Sequence, residues 1–359
     1  MELDSKDVYL NPFRGVPEGS PLDPSSDAFS TKKWLSNLIG FVAKDPQKYP
    51  YRFAGVCFRN LNVFGFRRPS DYQKTVGNIF LEAGTLFRFW AGTWRQKVQI
   101  LKDFDGVLEN GQMLLVLGRP GSGCSTLLKT ISGDTEGFLV DEHSHINYQG
   151  IPAKQMHTHF RGEAIYMAEN DVHFPQLTVG QTLLFAAKAR APRDYTFPGV
   201  TRDMFARHIR DVVMATFGLN HTFETNVGSA IIPGISGGER KRVSIAEAAL
   251  CGSPLQCWDN STRGLDSANA LEFCKHLRLS ADMAGATILV SLYQGSQEAY
   301  DVSLKPSLNP AFLILHSFLT KSPYYTKGGK FILVLGGQPR HISLIWASCA
   351  PHDRQLLIS

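Results

Sequence analysis

Gly118-Arg119-Pro120-Gly121-Ser122-Gly123-Cys124-Ser125-Thr126 follows an apolar run at 113–117 and leads into a helix-like segment at 127–132. Strand, glycine-rich turn and helix start together make a phosphate-binding loop. Gly118, Gly121 and Gly123 allow a turn tight enough to aim successive backbone N–H groups at phosphate oxygens, and the helix start adds free donors and partial positive charge. Ser125 is placed to put a hydroxyl on Mg²⁺, and Ser122 and Thr126 complete the cradle. The pattern G-x-x-x-x-G-K-[ST] fits except that Cys124 stands where the lysine belongs. Taken alone, the run also reads as an ordinary glycine-rich loop, and the rest of the chain decides between the two.

Working outward, residues 255–258 are an apolar strand ending at Asp259-Asn260. A strand-terminal aspartate beside a phosphate loop holds Mg²⁺ directly or through water. Asn260 takes the place of the carboxylate that orients an attacking water, and it cannot accept a proton. Ile235-Ser236-Gly237-Gly238-Glu239 is a second anion-binding element, a serine and paired glycines before a helix. Two such elements in one domain make sense where two domains meet head to tail and each closes over the other's nucleotide. Strands and helices alternate after the phosphate loop: helices over 178–189, 203–217, 239–250 and 268–277, and strands over 164–167, 255–258 and 286–292. That alternation predicts an α/β fold. Asn110-Gly111 reads as a hairpin turn joining the extended unit 98–108 to the strand before the loop.

Composition sets the bounds. The chain has 359 residues, 43% hydrophobic and 19% charged, with a formal charge of +5 and no long basic run. It is too apolar for a disordered protein, and nothing in it argues for nucleic acid. The six cysteines show no metal-ligand spacing and read as free thiols. His143, His145, His157 and His159 lack a complete zinc set. Met1–Asp7 has no secretory-leader pattern, and no window supplies 18 uninterrupted apolar residues. Residues 1–50 are expected to be a mostly flexible extension, with a short helix capped at Ser30-Thr31. Arg240, Lys241 and Arg242 read as a solvated or interdomain face.

Several ordered motifs together carry a family resemblance. Residues 116–129 resemble the Walker A region of ABC transporters, and 255–267 the Walker B region running into the D-loop at Asp266. Residues 235–239 resemble the ABC signature, and 166–174 the Q-loop region, with Glu169 at the glutamine position. Residues 288–294 resemble the switch region, with Tyr293 in place of histidine. Over about residues 22–302 the chain resembles the first nucleotide-binding domain of a fungal pleiotropic-drug-resistance ABC transporter, a full-size relative of the G subfamily. The resemblance implies an α/β P-loop NTPase domain with a β-sheet core and a helical subdomain, over 51–302, with an insert at 64–96. It implies ATP and Mg²⁺ as cofactors, with Ser125, Glu169 and Asp259 as the metal set.

The departures at Cys124, Asn260 and Tyr293 match the degenerate site of that family, so nucleotide on this loop is expected to be held and hydrolysed negligibly. Ser236, Gly237, Gly238 and Glu239 would complete the hydrolytic site of a second nucleotide-binding domain, with Asp266 communicating between the sites. Implied partners are that second domain and transmembrane domains, with this domain on the cytosolic side of a membrane, by expectation the plasma membrane. Two other readings compete: a soluble ABC-type ATPase, and a non-catalytic regulatory or pseudogene fragment. The resemblance fails after Val302. The family continues with Phe-Asp-Lys-Val and a strand ending near Glu-Gly, and codons permitted for residues 319–328, read one nucleotide earlier, can spell Phe-Asp-Lys-Val-Thr-Leu-Leu-Tyr-Glu-Gly. Residues 303–359 are therefore expected to be an out-of-frame tail that lacks the sheet's edge strand.

Overall fold

The computed structural model describes residues 9–67, 96–118, 121–192, 197–292, 297–304, 311–315 and 334–335. Tyr293 and the apolar stretch from Val76 through Trp94 lie outside the described residues.

The described part of the N-terminal extension is packed, which corrects the expected flexibility. Leu10 exchanges backbone hydrogen bonds of 2.9 Å each way with the Asn37 side chain on α1 (Thr31–Val42). Phe13 packs at a tilt 4.4 Å from Phe197 and 4.7 Å from Phe205, centroid to centroid. With Trp34, Tyr49 and Val212 these rings form a small core of their own. Ser30 precedes α1 without a side-chain cap bond.

Two sheets follow. β1 (Val56–Arg67) and β2 (Gln96–Leu108) pair antiparallel, with Val63 opposite Leu101. β3 (Met113–Gly118) opens the second sheet. The turn at Asn110-Gly111 forms, with Gly111 at φ 76°, but it joins the two sheets and makes no hairpin. The reason is non-local. Gln112 accepts from Ile288 N–H at 2.9 Å and Glu109 from the Thr287 hydroxyl at 3.2 Å, so the turn is tied to a distant strand. Next come α2 (Cys124–Ser132), β4 (Phe138–Val140), β5 (His145–Tyr148), β6 (Ile151–Pro152) and α3 (Ala153–His159). β4 and β5 pair with β1, and β6 extends the first sheet beyond β5.

The remaining elements are β7 (Ala164–Met167), α4 (Val179–Arg190), α5 (Arg202–Thr216), α6 (Gly237–Ala249), β8 (Leu255–Asp259), α7 (Ser267–Ala284), β9 (Thr287–Ser291) and α8 (Gln297–Leu304). β10 (Ala311–Leu315) and β11 (Val334–Leu335) complete the second sheet, in the order β11-β10-β3-β9-β8-β7. Every pair in it is parallel except β10 with β11. Thus the expectation that the tail supplies no edge strand is corrected: the apolar run 311–315 pairs along β3, with Ala311 opposite Leu114.

Both faces of this sheet are covered, which is why its strands are continuous apolar runs. On one face Leu114, Val116, Cys257 and Leu289 meet Leu127, Leu128 and Ile131 of α2. On the other, Met113, Leu115, Trp258 and Val290 meet Phe273, Cys274 and Leu277 of α7. α4, α5 and α6 form a separate helical layer around Leu183, Met214 and Val243.

Candidate nucleotide-binding site

Because the strands run parallel, the ends of β3, β7, β8 and β9 share one edge: Gly118, Met167, Asp259 and Ser291. The carboxyl edge of an open α/β sheet is where such folds take ligands. The phosphate loop turns there into α2. Gly123 sits at φ 98°, and a side chain on it would press on Leu101 at 3.0 Å and Ile100 at 3.1 Å, so both backbone and space require glycine. Gly121, at φ 81°, faces open space. Cys124 is buried in the first turn of α2, its sulfur 3.4 Å from the Ser122 hydroxyl. Arg119 and Pro120 lie outside the described residues.

Asp259 is 2% exposed, and both its oxygens are engaged: Oδ2 accepts from the Tyr166 hydroxyl at 2.7 Å and Oδ1 from Ser291 Oγ at 2.8 Å. Burial, then the bond to Asp259, pushes the Tyr166 phenol well above its ordinary pKa and keeps it a donor. The Lys129 ammonium lies over the Tyr166 ring, 5.3 Å from its centre. Asn260 adopts φ 45°, a left-handed conformation that asparagine tolerates better than most residues, and its N–H donates to Ser291 Oγ at 2.9 Å.

The structure brings Glu169 beside Asn260. Its Oε1 accepts from Asn260 Nδ2 at 3.2 Å and pairs with the Arg263 guanidinium. Lys241 is 2% exposed and reaches across from α6, donating to the Glu169 carbonyl at 2.6 Å and to Asp171 at 3.2 Å. Arg242 donates to the Phe217 carbonyl at 2.9 Å. The basic run at 240–242 is therefore not a solvated face. Sequence reasoning gave no individual role to Tyr166, Ser291 or Arg263, and it read Lys241 only as part of a solvated or interdomain face. For Lys241 a signal existed: it lies one helical turn before the buried Ser244 and Ile245, on the inward side of α6.

Ser236 caps α6 in a reciprocal arrangement. Its hydroxyl accepts from Glu239 N–H at 3.3 Å, and Glu239 accepts from Ser236 N–H at 2.9 Å. His221, 2.8 Å from the Glu239 carboxylate, and then the Ser236 N–H lower the Glu239 pKa to about 2. A lowered carboxylate pKa stabilises the folded state above the unfolded value and loses that contribution as pH falls. Protection of the α6 amides should hold at neutral pH and decline from about pH 4.5 towards 2, read by hydrogen exchange. Ser236→Ala should lower unfolding stability by about 1 kcal/mol. The chain places nothing within 4 Å of a side chain added at Gly237, so this helix start stays open. Asp266 precedes α7 without capping it and holds the Asn269 side chain, which lowers its pKa.

The donor set suits Mg²⁺. Ser125 and Asp259 offer hard oxygens, whereas the carboxylate of Glu169, the third member of the expected metal set, is engaged by Asn260 and Arg263. No group of three His, Cys, Asp or Glu side chains suited to a metal occurs among the described residues. That ion is commonly held by one or two protein oxygens, substrate phosphates and waters. The histidines at 143–159 form no metal group there either.

The chain is similar to known proteins. The family described as "ABC transporter" matches residues 101–263, and that described as "ABC-transporter N-terminal" matches residues 5–79. "ABC multidrug transporter C" of Aspergillus fumigatus is 63% identical over 292 residues, 81% of this chain and 19% of that protein. "ABC multidrug transporter atrG" of Aspergillus oryzae is 61% identical over 81% of this chain and 20% of its own length. "ABC-type transporter eriD" of Hericium erinaceus is 58% identical over the same shares. A solved "Structure of ATP binding subunit of ABC transporter" overlays 73% of this chain and 85% of its own, with a TM-score of 0.48 and 21% identity.

The chain carries the P-loop NTPase fold of an ABC-transporter nucleotide-binding domain. It belongs to the ABC-transporter family, matching one such domain of the fungal transporters and spanning about a fifth of the length of those relatives. Nucleotide-binding domains of this family bind ATP and Mg²⁺. Among the described residues, no helix is long and apolar enough to cross a membrane.

Proposed function

We propose that residues 51–302 are the first nucleotide-binding domain of a full-size exporter of the pleiotropic-drug-resistance type, and that the site on its own phosphate loop holds ATP without turning it over. Backbone N–H groups of 121–126 and the start of α2 take the phosphates, while Ser125 and Asp259 hold Mg²⁺, which supplies charge neutralisation when bound. Cys124 brings no ammonium to the phosphates. Asn260 cannot take a proton from water, and its amide is spent on Glu169. That pair of replacements at one sheet edge is the observation that carries the reading. Ser236, Gly237 and Gly238, at the open start of α6, close over nucleotide held by a second domain, with Asp266 beside that contact. Val172 and Phe174 after β7, with Phe185 on α4, are large apolar side chains left 73–87% exposed, which suits cover by membrane-embedded domains on the cytosolic side. Drug, xenobiotic or lipid efflux belongs to that intact protein. Residues 303–359 are read as translation past a splice junction after Val302, which sequencing the transcript across it tests.

The test of the site is calorimetric titration of the purified chain with Mg²⁺–ATP, together with a phosphate-release assay. Binding without release is expected. Steady release that disappears in Asp259→Asn would sink the proposal, because it would place a working hydrolytic site on this loop.

A further inference from the structure

Two replacements at this site push its charge in the same direction. Cys124 removes a cation that the resemblance puts against the phosphates, and Glu169 adds a carboxylate where it puts a neutral amide. A polyanionic nucleotide would thus meet one cation fewer and one anion more. The structure supplies a counterweight. Arg263, in the loop between β8 and α7, places its guanidinium on Oε1 of Glu169, the same oxygen that accepts from Asn260. The glutamate is fixed at both ends, its carbonyl by Lys241 and its carboxylate by Asn260 and Arg263.

We propose that Arg263 is the compensating cation of this nucleotide site. It is a positioning residue that neutralises Glu169, holds its carboxylate off the metal and phosphates, and so lets a loop without lysine keep Mg²⁺–ATP. The proposal rests on the reading of the edge as a nucleotide site. The Arg263 side chain is 72% exposed, so the pair adds little to folding. An effect of its removal on nucleotide is therefore separable from an effect on stability. A carboxylate stripped of its partner repels every phosphate nearby, whereas a carboxylate and guanidinium removed together leave the balance unchanged.

The experiment is titration of the full chain and its variants with ATP, with and without Mg²⁺, alongside thermal unfolding. Arg263→Gln should weaken Mg²⁺–ATP binding about tenfold, while Arg263→Lys stays within about threefold of the parent. Glu169→Gln alone should bind at least as tightly as the parent, with its largest gain for metal-free ATP. The double variant Glu169→Gln/Arg263→Gln should recover to within about threefold, a non-additivity that a purely structural surface pair would not produce. Arg263→Gln binding like the parent, or a double variant no better than Arg263→Gln, overturns the proposal and leaves the functional reading standing. A parent chain that binds no ATP overturns both.

Discussion

Asp259→Ala should cost the domain about 2–5 kcal/mol of stability and abolish the Mg²⁺ dependence of its ATP binding. Both effects follow from the same geometry. The carboxylate is buried at the end of β8 and is the acceptor for two hydroxyls, Tyr166 at 2.7 Å and Ser291 at 2.8 Å. Truncation leaves both donors without their acceptor in a site where water cannot easily replace it, and it opens a small cavity beneath α2. Hydrogen bonds to an ionised acceptor are worth more than neutral ones, so the loss exceeds that of an ordinary core alanine substitution of similar volume. Asp259→Asn separates the two effects. The amide keeps the shape and one acceptor but turns N–H groups towards one hydroxyl, for a cost of about 1–3 kcal/mol. It also offers no charge to a metal, so metal-free ATP should bind at least as well as to the parent while added Mg²⁺ brings no gain. Denaturant unfolding reads the first effect and titration with and without Mg²⁺ the second. Persistence of a Mg²⁺-dependent gain in Asp259→Asn would remove Asp259 from the metal set.

What the sequence makes legible is what short-range chemistry dictates. The phosphate loop is readable because only glycine accepts the backbone at 123, and α4 and α6 because Thr178 and Ser236 cap them with Gln181 and Glu239 three residues on. The strand ending at Asp259 is readable because a sheet covered on both faces demands an uninterrupted apolar run. What it hides is pairing across distance. Asn110-Gly111 signals a turn correctly, but whether the flanking strands pair is decided by β9, far along the chain. Phe13 sits in a Pro- and Gly-rich stretch that looks loose, and its partners Phe197 and Phe205 carry no local mark linking them to it. The run 311–315 pairs along β3, and no local signal in the sequence names that strand as its partner. At the site, Arg263 meets Glu169 only once β7 and β8 lie side by side.

Lys241→Ala should destabilise the domain by about 2–4 kcal/mol. A run of Arg-Lys-Arg invites a surface reading, yet the middle ammonium is 2% exposed and clamps α6 to the segment after β7 through the Glu169 carbonyl and the Asp171 carboxylate. Removing the cation leaves a carboxylate with its partner gone and a carbonyl with no donor. The Asp171 side chain is 20% exposed, so water recovers part of the loss, and the figure sits below that for a wholly buried pair. Lys241→Met fills the volume and should cost less. Joined with Asp171→Asn, it should recover about 1–2 kcal/mol relative to the sum of the two single changes, because no charge is then stranded. The helix keeps other ties to the same segment: His173 lies 2.7 Å from the Ser244 hydroxyl and 3.5 Å from the Glu247 carboxylate. Burial holds the His173 pKa below its ordinary value and raises that of Glu247, and both shifts weaken charge attraction across this contact. The Lys241 clamp is thus the charged joint between the helix that would face a partner domain and the loop that carries Glu169. If the two move as one body, hydrogen exchange in Lys241→Met should quicken together at 169–173 and at the start of α6. Faster exchange in α6 alone would mean that the clamp stabilises the helix without coupling it to the nucleotide edge.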